Sequence, residues 1–502
     1  MNERRCLMGI DLGLTFVKTG IFDTNGHCVG LGQGRYPLER PYLGWAEHDQ
    51  NLWWSELIKT IKDARSEAKI SLNKIVGIGV TGFGHGVSPV TRDGKLLTKC
   101  NTSQDQRAMK QLKWIKENTD IDQEDYGGKI VSSKILWLKE NRLEIYKKTF
   151  KFLFPSSFVI FKLTGKYSAD VDSFTIGDWS EITQTIGVPL QKLPEVHKPG
   201  EVVGEVMKKV AEETGLKEGT PVVAGAMDYA CCLYGAGFVK PGRCVDLTGT
   251  VGGMTVAVAA KTVTGPHSFP IIPSIDRIRV AGSRTVGGLI RWFRDQFCQT
   301  EVEVAKKTGI SEYQLIDCEA ERVEPGSGGV FVTPHFFGKS IGSDIDRVGT
   351  IFGLTWTTPR ERVIRALMEG WAYELRRGME ASALHKMGIK IEEVRAVGGG
   401  GRRRVWRQIK ANVLGIPFSQ INVDEAGCFG AAILAGVGVG LFKDFVSPIE
   451  EIVKVIERNE PKDEYRKRYD DLFQIYLKLN IILEQAGIYD QYFKILEKQK
   501  MI

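Results

Sequence analysis

Two segments, one near the N-terminus and one in mid-chain, constrain this sequence most. The first runs Gly9-Ile10-Asp11-Leu12-Gly13-Leu14-Thr15-Phe16-Val17-Lys18. The second comprises Ala224-Gly225-Ala226-Met227-Asp228 and, shortly after it, Asp246-Leu247-Thr248-Gly249-Thr250. Each begins with apolar residues of strand character and then delivers a carboxylate or hydroxyl at a Gly-rich turn. Handling a metal–nucleotide complex requires such a pattern: backbone N–H groups for phosphate, and carboxylates for metal and proton.

The chain has 502 residues, too many for one core, so two or more domains are expected. Its formal net charge of +7 is spread along the sequence, with Arg402-Arg403-Arg404 the densest knot. No basic arm or aromatic–basic stripe marks a nucleic-acid partner. The nine cysteines include no CxxC pair, so neither a zinc site nor a disulfide framework is indicated. The apolar stretch from Cys428 to Phe442 is too short and Gly-rich for a membrane span. A short strand follows Met1-Asn2-Glu3-Arg4-Arg5 where a signal peptide would carry its apolar region. The expectation is a cytoplasmic enzyme with reduced thiols and no membrane partner.

Periodicity predicts strands over Cys6–Leu12 and Val17–Phe22 and a third after Asn25-Gly26. A helix over Asn51–Ala68 follows, with Leu52, Leu57, Ile58 and Ile61 on one face, then a buried strand from Lys74 to Val80. This is the order of an RNase H-like half. A like order recurs: strands at Arg243–Asp246 and Met254–Val258, a helix over Arg360–Lys386, and a strand from Glu393 to Val397. Gly398-Gly399-Gly400-Gly401, a helix through Trp406 to Leu414, a strand over Ser419–Val423 and a helix over Gly427–Leu441 complete it. Trp292, Phe293 and Phe297 read as helix core. The boundary is placed near Lys240-Pro241-Gly242, giving domains 1–242 and 243–502 with a helical tail from Pro461.

Each motif also has an ordinary reading. Asp11-x-Gly-x-Thr15-x-x-Lys18 is a metal- and phosphate-handling hairpin or simply a β-turn. Asp228 is a general base at a strand end or an N-cap. The four glycines are a nucleotide rest or punctuation; they form neither a Walker A loop nor a dinucleotide fingerprint. His85 is a sugar contact after a central strand or a structural histidine. Asp105 and Arg107 bind sugar hydroxyls or form a solvated face.

Together these segments resemble the FGGY family of carbohydrate kinases. Further matches are Gly44-Trp45-Ala46-Glu47-His48-Asp49, Leu163-Thr164-Gly165 with Ala169-Asp170, Gly287-Gly288-Leu289-Ile290-Arg291-Trp292, Arg365 to Gly370, and Glu425-Ala426-Gly427-Cys428-Phe429-Gly430. The resemblance implies an α/β fold of two actin-like (RNase H-like) ATPase domains with an interdomain cleft. It implies ATP and Mg²⁺, with Asp228 as catalytic base and Asp11, alongside Asp228, near the metal. It puts cofactor contacts at Thr15, Lys18, Thr250, Gly287, Gly399, Gly400 and Arg403. Sugar contacts fall at His85, Asp105, Arg107 and Asp228, and a homodimer is one expected state.

Some positions depart from the family pattern: Leu14, Ser103, Tyr229 and Arg403. Glycerol kinases carry Arg-Glu where this chain has Gly84-His85, which argues against glycerol. Xylulokinases carry Gln-Met-His-Gly where this chain has Phe83-Gly84-His85-Gly86. The overall look is toward the L-xylulose (3-keto-L-gulonate) kinase branch. The expected acceptor is a pentulose, L-xylulose first and D-xylulose second, with erythritol and gluconate as alternatives. A nucleotide-binding regulator without kinase activity is the rival from another class.

Overall fold

The computed structural model describes residues 5–42, 44–119, 126–170, 184–249, 252–259, 268–272, 275–283, 286–336, 347–382, 384 and 388–499. It divides into two compact units. The first contains 1–239 and 425–453; the second contains 240–424 and 454–502.

The first unit is built on strands β1 (Cys6–Leu12), β2 (Phe16–Asp23), β3 (Cys28–Arg35), β4 (Ile75–Gly82), β5 (Val202–Glu205) and β6 (Pro221–Met227). They form one sheet in the order β5-β6-β4-β1-β2-β3. β1, β4 and β6 are parallel, whereas β2, β3 and β5 pair antiparallel to their neighbours. The parallel strands read as continuous apolar runs because both faces are covered. One cover is α1 (Gln50–Ala68), capped by the Asp49 side chain on the Asn51 amide. Trp53, Trp54, Leu57 and Ile61 form its buried face, while Leu52 stays exposed at 36%. α2 (Tyr126–Asn141), α3 (Pro155–Thr164) and α4 (Asp228–Gly235) complete the local helices needed below.

The second unit repeats this plan. Its strands are β7 (Cys244–Thr248), β8 (Gly252–Ala259), β9 (Ser268–Ile272), β10 (Ile275–Ser283), β11 (Val394–Val397), β12 (Phe418–Ile421) and β13 (Val455–Asn459). The sheet order is β9-β10-β8-β7-β11-β12-β13. β7 is antiparallel to β8 and parallel to β11, and β11 is parallel to β12. Read from β13, this order matches that of the first sheet read from β5: β12-β11-β7-β8-β10 stand where β6-β4-β1-β2-β3 stand, with the same relative strand directions, the actin-like (RNase H-like) topology twice over. α5 (Val286–Phe297) packs against α6 (Arg360–Ala381), and α6 and α7 (Arg404–Leu414) pack on the second sheet. Its core gathers Trp371, Tyr373, Trp406, Tyr469 and Phe473.

Besides the exposure of Leu52, other details differ from expectation. α6 ends at Ala381, short of Lys386. In α5 only Phe293 is core: Trp292 is 36% and Phe297 49% exposed, because the helix buries a single stripe through Val286, Leu289, Ile290 and Phe293. The compact units also differ from a cut at residue 242. α8 (Ala426–Gly438) returns to the first unit and lies over β1 and β4. Small residues allow that approach: a Cβ on Gly9 would sit 1.8 Å from the Cys428 carbonyl oxygen, and one on Gly79 would sit 1.9 Å from that of Ala431.

Candidate functional site

The carboxyl ends of β1, β4 and β6 lie side by side in the first unit. The register pairs Asp11 with Thr81, and Met227 with Gly82. Asp11 and Asp228 thus flank the end of β4, two strand spacings apart, about 10 Å of backbone. Asp228 is the first residue of α4; Met227, not Asp228, is the N-cap. Its Oδ1 accepts a 2.7 Å hydrogen bond from the Tyr229 amide. Burial pushes its carboxyl up to about 7; Asp11 and Asp170 push the same way, and the Tyr229 amide opposes them.

Asp11 stands opposite Lys18 in the β1–β2 hairpin. Lys18 gives its ammonium to Glu425 at 2.6 Å. The Asp11 Oδ1 atom is buried with no hydrogen-bond partner among the described residues. Burial raises this carboxyl to about 6, Lys18 working against the rise and Glu425 with it. Asp11 lies against the first turn of α8, where a Cβ on Gly427 would sit 2.4 Å from its Oδ2. A helix N-terminus favours the charged carboxylate there. The hairpin is braced behind: Tyr36 donates its hydroxyl to the Gly13 carbonyl, and His48 Nε2 lies 2.9 Å from that of Leu14. Thr15 sits in this turn, partly exposed.

The loop after β4 carries His85, partly exposed and in the left-handed region at φ 65°. Asp105 and Arg107 form a built pair with no solvated face. Arg107 Nε donates to Asp105 Oδ1 at 2.7 Å and its Nη2 to Glu47 at 2.7 Å. Asp105 Oδ2 also accepts from the Ala46 amide at 2.7 Å. The guanidinium stacks 3.5 Å above the Trp45 ring and 5.3 Å from that of Trp137. Sequence reasoning quotes Glu425 only within a family match, without its tie to Lys18, and misses Trp137 and the buried Lys134; Lys134 and Trp137 sit on one helix without motif spacing to the residues they contact.

In the second unit, Gly398–Gly401 form one helical turn after β11. Gly398 has φ 81°, and its Cβ position is crowded by the Thr248 carbonyl oxygen at 2.8 Å. Gly399 is exposed, with nothing within 4 Å of a Cβ, whereas one on Gly400 would strike the Thr248 methyl at 2.2 Å and Trp406 at 2.8 Å. Of these two, Gly399 offers the open surface. The Gly287 amide donates to the Gly249 carbonyl at 2.8 Å, so it fixes the turn. Arg403 Nε donates to Asp317 at 2.8 Å, and the side chain is 10% exposed. Asp246 and Lys410, both fully buried, are joined as an ion pair, and the ammonium also reaches Thr248 Oγ1 at 2.8 Å. Thr250 lies outside the described residues. No group of three or more metal-ligating side chains occurs among the described residues, and no described helix is long and apolar enough to cross a membrane.

Two parallel-strand ATPase halves, one ending in a pair of raised carboxyls and the other in an open Gly turn, define a class of phosphotransferase. Residues 6–235 match the family model for the FGGY family of carbohydrate kinases, N-terminal domain, and residues 277–439 match that for the C-terminal domain. The chain belongs to the FGGY family of carbohydrate kinases; it is a sugar kinase that uses ATP. It is 27% identical over 488 residues to the xylulose kinase of Bacillus subtilis (strain 168), covering 94% of this chain and 95% of that one. It is 28% identical over 509 residues to the autoinducer-2 kinase of Escherichia coli (strain K12), covering 93% and 92%. The ligand-bound xylulose kinase structure from Lactobacillus acidophilus superposes with a TM-score of 0.81 at 23% identity, covering 97% of this chain and 100% of that one.

Proposed function

We propose that this kinase transfers the γ-phosphoryl group of ATP to a hydroxyl of a pentulose, L-xylulose first and D-xylulose second, with Asp228 as general base. The observation that carries the reading is the raised carboxyl of Asp228 at the end of β6. A base titrating at about 7 is matched to neutral pH. It takes the proton of the sugar hydroxyl as the new O–P bond forms and the bond to ADP breaks. His85, Asp105 and Arg107 orient the sugar. Arg107 is held by two carboxylates and an indole, so it meets the substrate in one geometry. Thr15, Lys18, Thr250, Gly287, Gly399, Gly400 and Arg403 are the proposed nucleotide residues. Among them Lys18, Gly287 and Arg403 act through their internal partners.

The family implies Mg²⁺, and the first unit suits it. Asp11 offers a buried oxygen without a partner. Magnesium is characteristically held by one or two carboxylates plus substrate phosphates, in keeping with the lack of a three-ligand cluster among the described residues. Asp11 would hold the ion, with Asp228 nearby; when bound, it neutralises charge on the phosphate oxygens.

A second reading, autoinducer-2 as acceptor, is supported by the 28% identical relative. Erythritol and gluconate complete the alternatives. Coupled ADP release with MgATP tests all of them, across L-xylulose, D-xylulose, L-ribulose, 3-keto-L-gulonate, autoinducer-2, erythritol, gluconate and glycerol. A pentulose far above the sugar-free blank is expected. Turnover of another acceptor alone overturns the pentulose, and rates equal to the blank overturn the activity.

A further inference from the structure

We propose that Lys134 is the positioning residue of the sugar site, tying together the two loops that carry the sugar contacts. Lys134 lies on α2 and is 1% exposed. Its ammonium donates to the His85 carbonyl at 2.6 Å, the Thr102 carbonyl at 2.6 Å and, at 3.5 Å, the Asn101 carbonyl. One acceptor belongs to the loop after β4. The other two begin the segment that leads into Asp105 and Arg107. An ammonium has three donors and no acceptor, so it suits carbonyls converging on one point. A buried charged donor is an expensive way to fill that point, and an apolar side chain would leave the carbonyls unpaired.

Two further observations join Lys134 to the site. His85 occupies the left-handed region, which costs a residue with a Cβ and persists only where its surroundings hold it. Its carbonyl is the group that Lys134 holds. Its neighbour Gly84 lies against the residue preceding Asp228: a Cβ there would sit 2.6 Å from the Met227 sulfur. One helical turn beyond Lys134, Trp137 covers the Arg107 guanidinium and packs edge-on to Trp45 at 5.6 Å. The same face of α2 thus holds the backbone of one sugar loop and the side chain of the other.

The proposal rests on the reading of His85 and Arg107 as sugar contacts. Lys134→Met removes the donors and keeps the stem. With whichever of L-xylulose and D-xylulose is turned over faster, its sugar KM is expected to rise about tenfold or more. The KM for MgATP, and kcat at saturating sugar, should stay within about twofold of the parent on this order-of-magnitude view. Lys134→Gln, with two donors, should fall between parent and Lys134→Met, and is the variant to read if Lys134→Met does not fold. Lys410→Met, an equally buried ammonium in the second unit, is the control and should leave sugar KM unmoved. A merely structural Lys134 would lower thermal stability without separating sugar KM from the other constants, and that result overturns the proposal. His85→Ala and Arg107→Ala run alongside. If neither moves sugar KM, the site reading falls and this proposal with it; if both do and the Lys134 variants do not, the proposal alone falls.

Discussion

The two β-hairpins that open the two sheets use one short pattern for opposite ends. Asp11-Leu12-Gly13-Leu14-Thr15 ends β1, and Asp246-Leu247-Thr248-Gly249-Thr250 ends β7. Both carboxylates stand on the first strand of an RNase H-like half. In the first unit, Lys18 across the hairpin is drawn off to Glu425, and Asp11 keeps a buried oxygen without a partner. In the second, Lys410 reaches from α7 to neutralise Asp246, and Thr248 donates to the same Oδ2 at 2.9 Å. Each carboxylate keeps one buried oxygen, Oδ1, without a hydrogen-bond partner among the described residues; they differ in the cation, which is bonded directly to Asp246 and bonded away from Asp11. A directly bonded ammonium makes Asp246 half of an internal ion pair, whereas Asp11, whose cross-strand lysine is held by Glu425, is left to meet a cation from outside the chain if it holds one.

The largest effect should come from the base itself. Asp228→Asn should keep the fold and lose about 10²–10⁴-fold in kcat with the best sugar. Near-parental turnover in that variant would remove Asp228 from the chemistry. In the parent, kcat/KM should rise with pH and level off above about 7, since the free enzyme's base must be ionised. A profile flat from pH 5 to 9, on this order-of-magnitude reading, would locate the proton acceptor elsewhere.

Next in size is the structural copy. Lys410→Met leaves a fully buried Asp246 facing no cation, and breaking such a pair costs about 3–5 kcal/mol. Urea unfolding should show that loss, and pairing it with Asp246→Leu should recover much of it. Burial works against the Lys410 charge, Asp246 supports it, and the net direction of its titration is downward. If Lys410→Met is as stable as the parent, the second hairpin is not held by this pair.

Asp11→Asn should lower turnover yet raise stability at alkaline pH. The folded carboxyl titrates at about 6, above its ordinary value of 3.8, so the native state binds more protons than the unfolded one between those values. Ionising it therefore costs stability as pH rises through that window, and the full cost is present above it. The melting temperatures of parent and variant should agree near pH 4 and diverge by pH 8, the variant higher. A variant less stable than the parent at pH 8 would show that Lys18 and the α8 N-terminus outweigh burial.

Much of this was legible in the sequence because it is local. Turn residues and strand periodicity marked both hairpins, the end of β4, Asp228 and the Gly turn, and the resemblance gave the family. What was not legible depends on contacts between distant segments. Only the folded backbone shows that Gly9 and Gly79 leave room for α8, which brings Glu425 and Gly427 to Asp11. The sequence offers Asp105 and Arg107 as candidate sugar contacts, but no spacing announces that Glu47, Trp45 and Trp137 enclose them. Arg403 departs from the family pattern, yet its partner Asp317 lies on a helix that no motif in the sequence announces.

The smallest effect bears on the strand that pairs parallel to the first strand of each half, β4 beside β1 and β11 beside β7. A left-handed residue follows β11, and another lies in the loop after β4; one is Gly398 at φ 81°, the other His85 at φ 65°. Glycine takes that conformation freely, whereas a residue with a Cβ gives up about 1–2 kcal/mol. The first half retains the costlier residue, which the proposed sugar contact would account for. His85→Gly should therefore gain roughly 1 kcal/mol of stability while raising sugar KM, and His85→Ala should raise KM with no such gain. Gly398→Ala should lose stability, since its Cβ would meet the Thr248 carbonyl oxygen at 2.8 Å as well as the backbone strain. If His85→Gly gains stability and leaves sugar KM untouched, the imidazole has no part in the sugar site. If it loses stability, the ring packs as structure, and the two halves are more alike than their hairpins suggest.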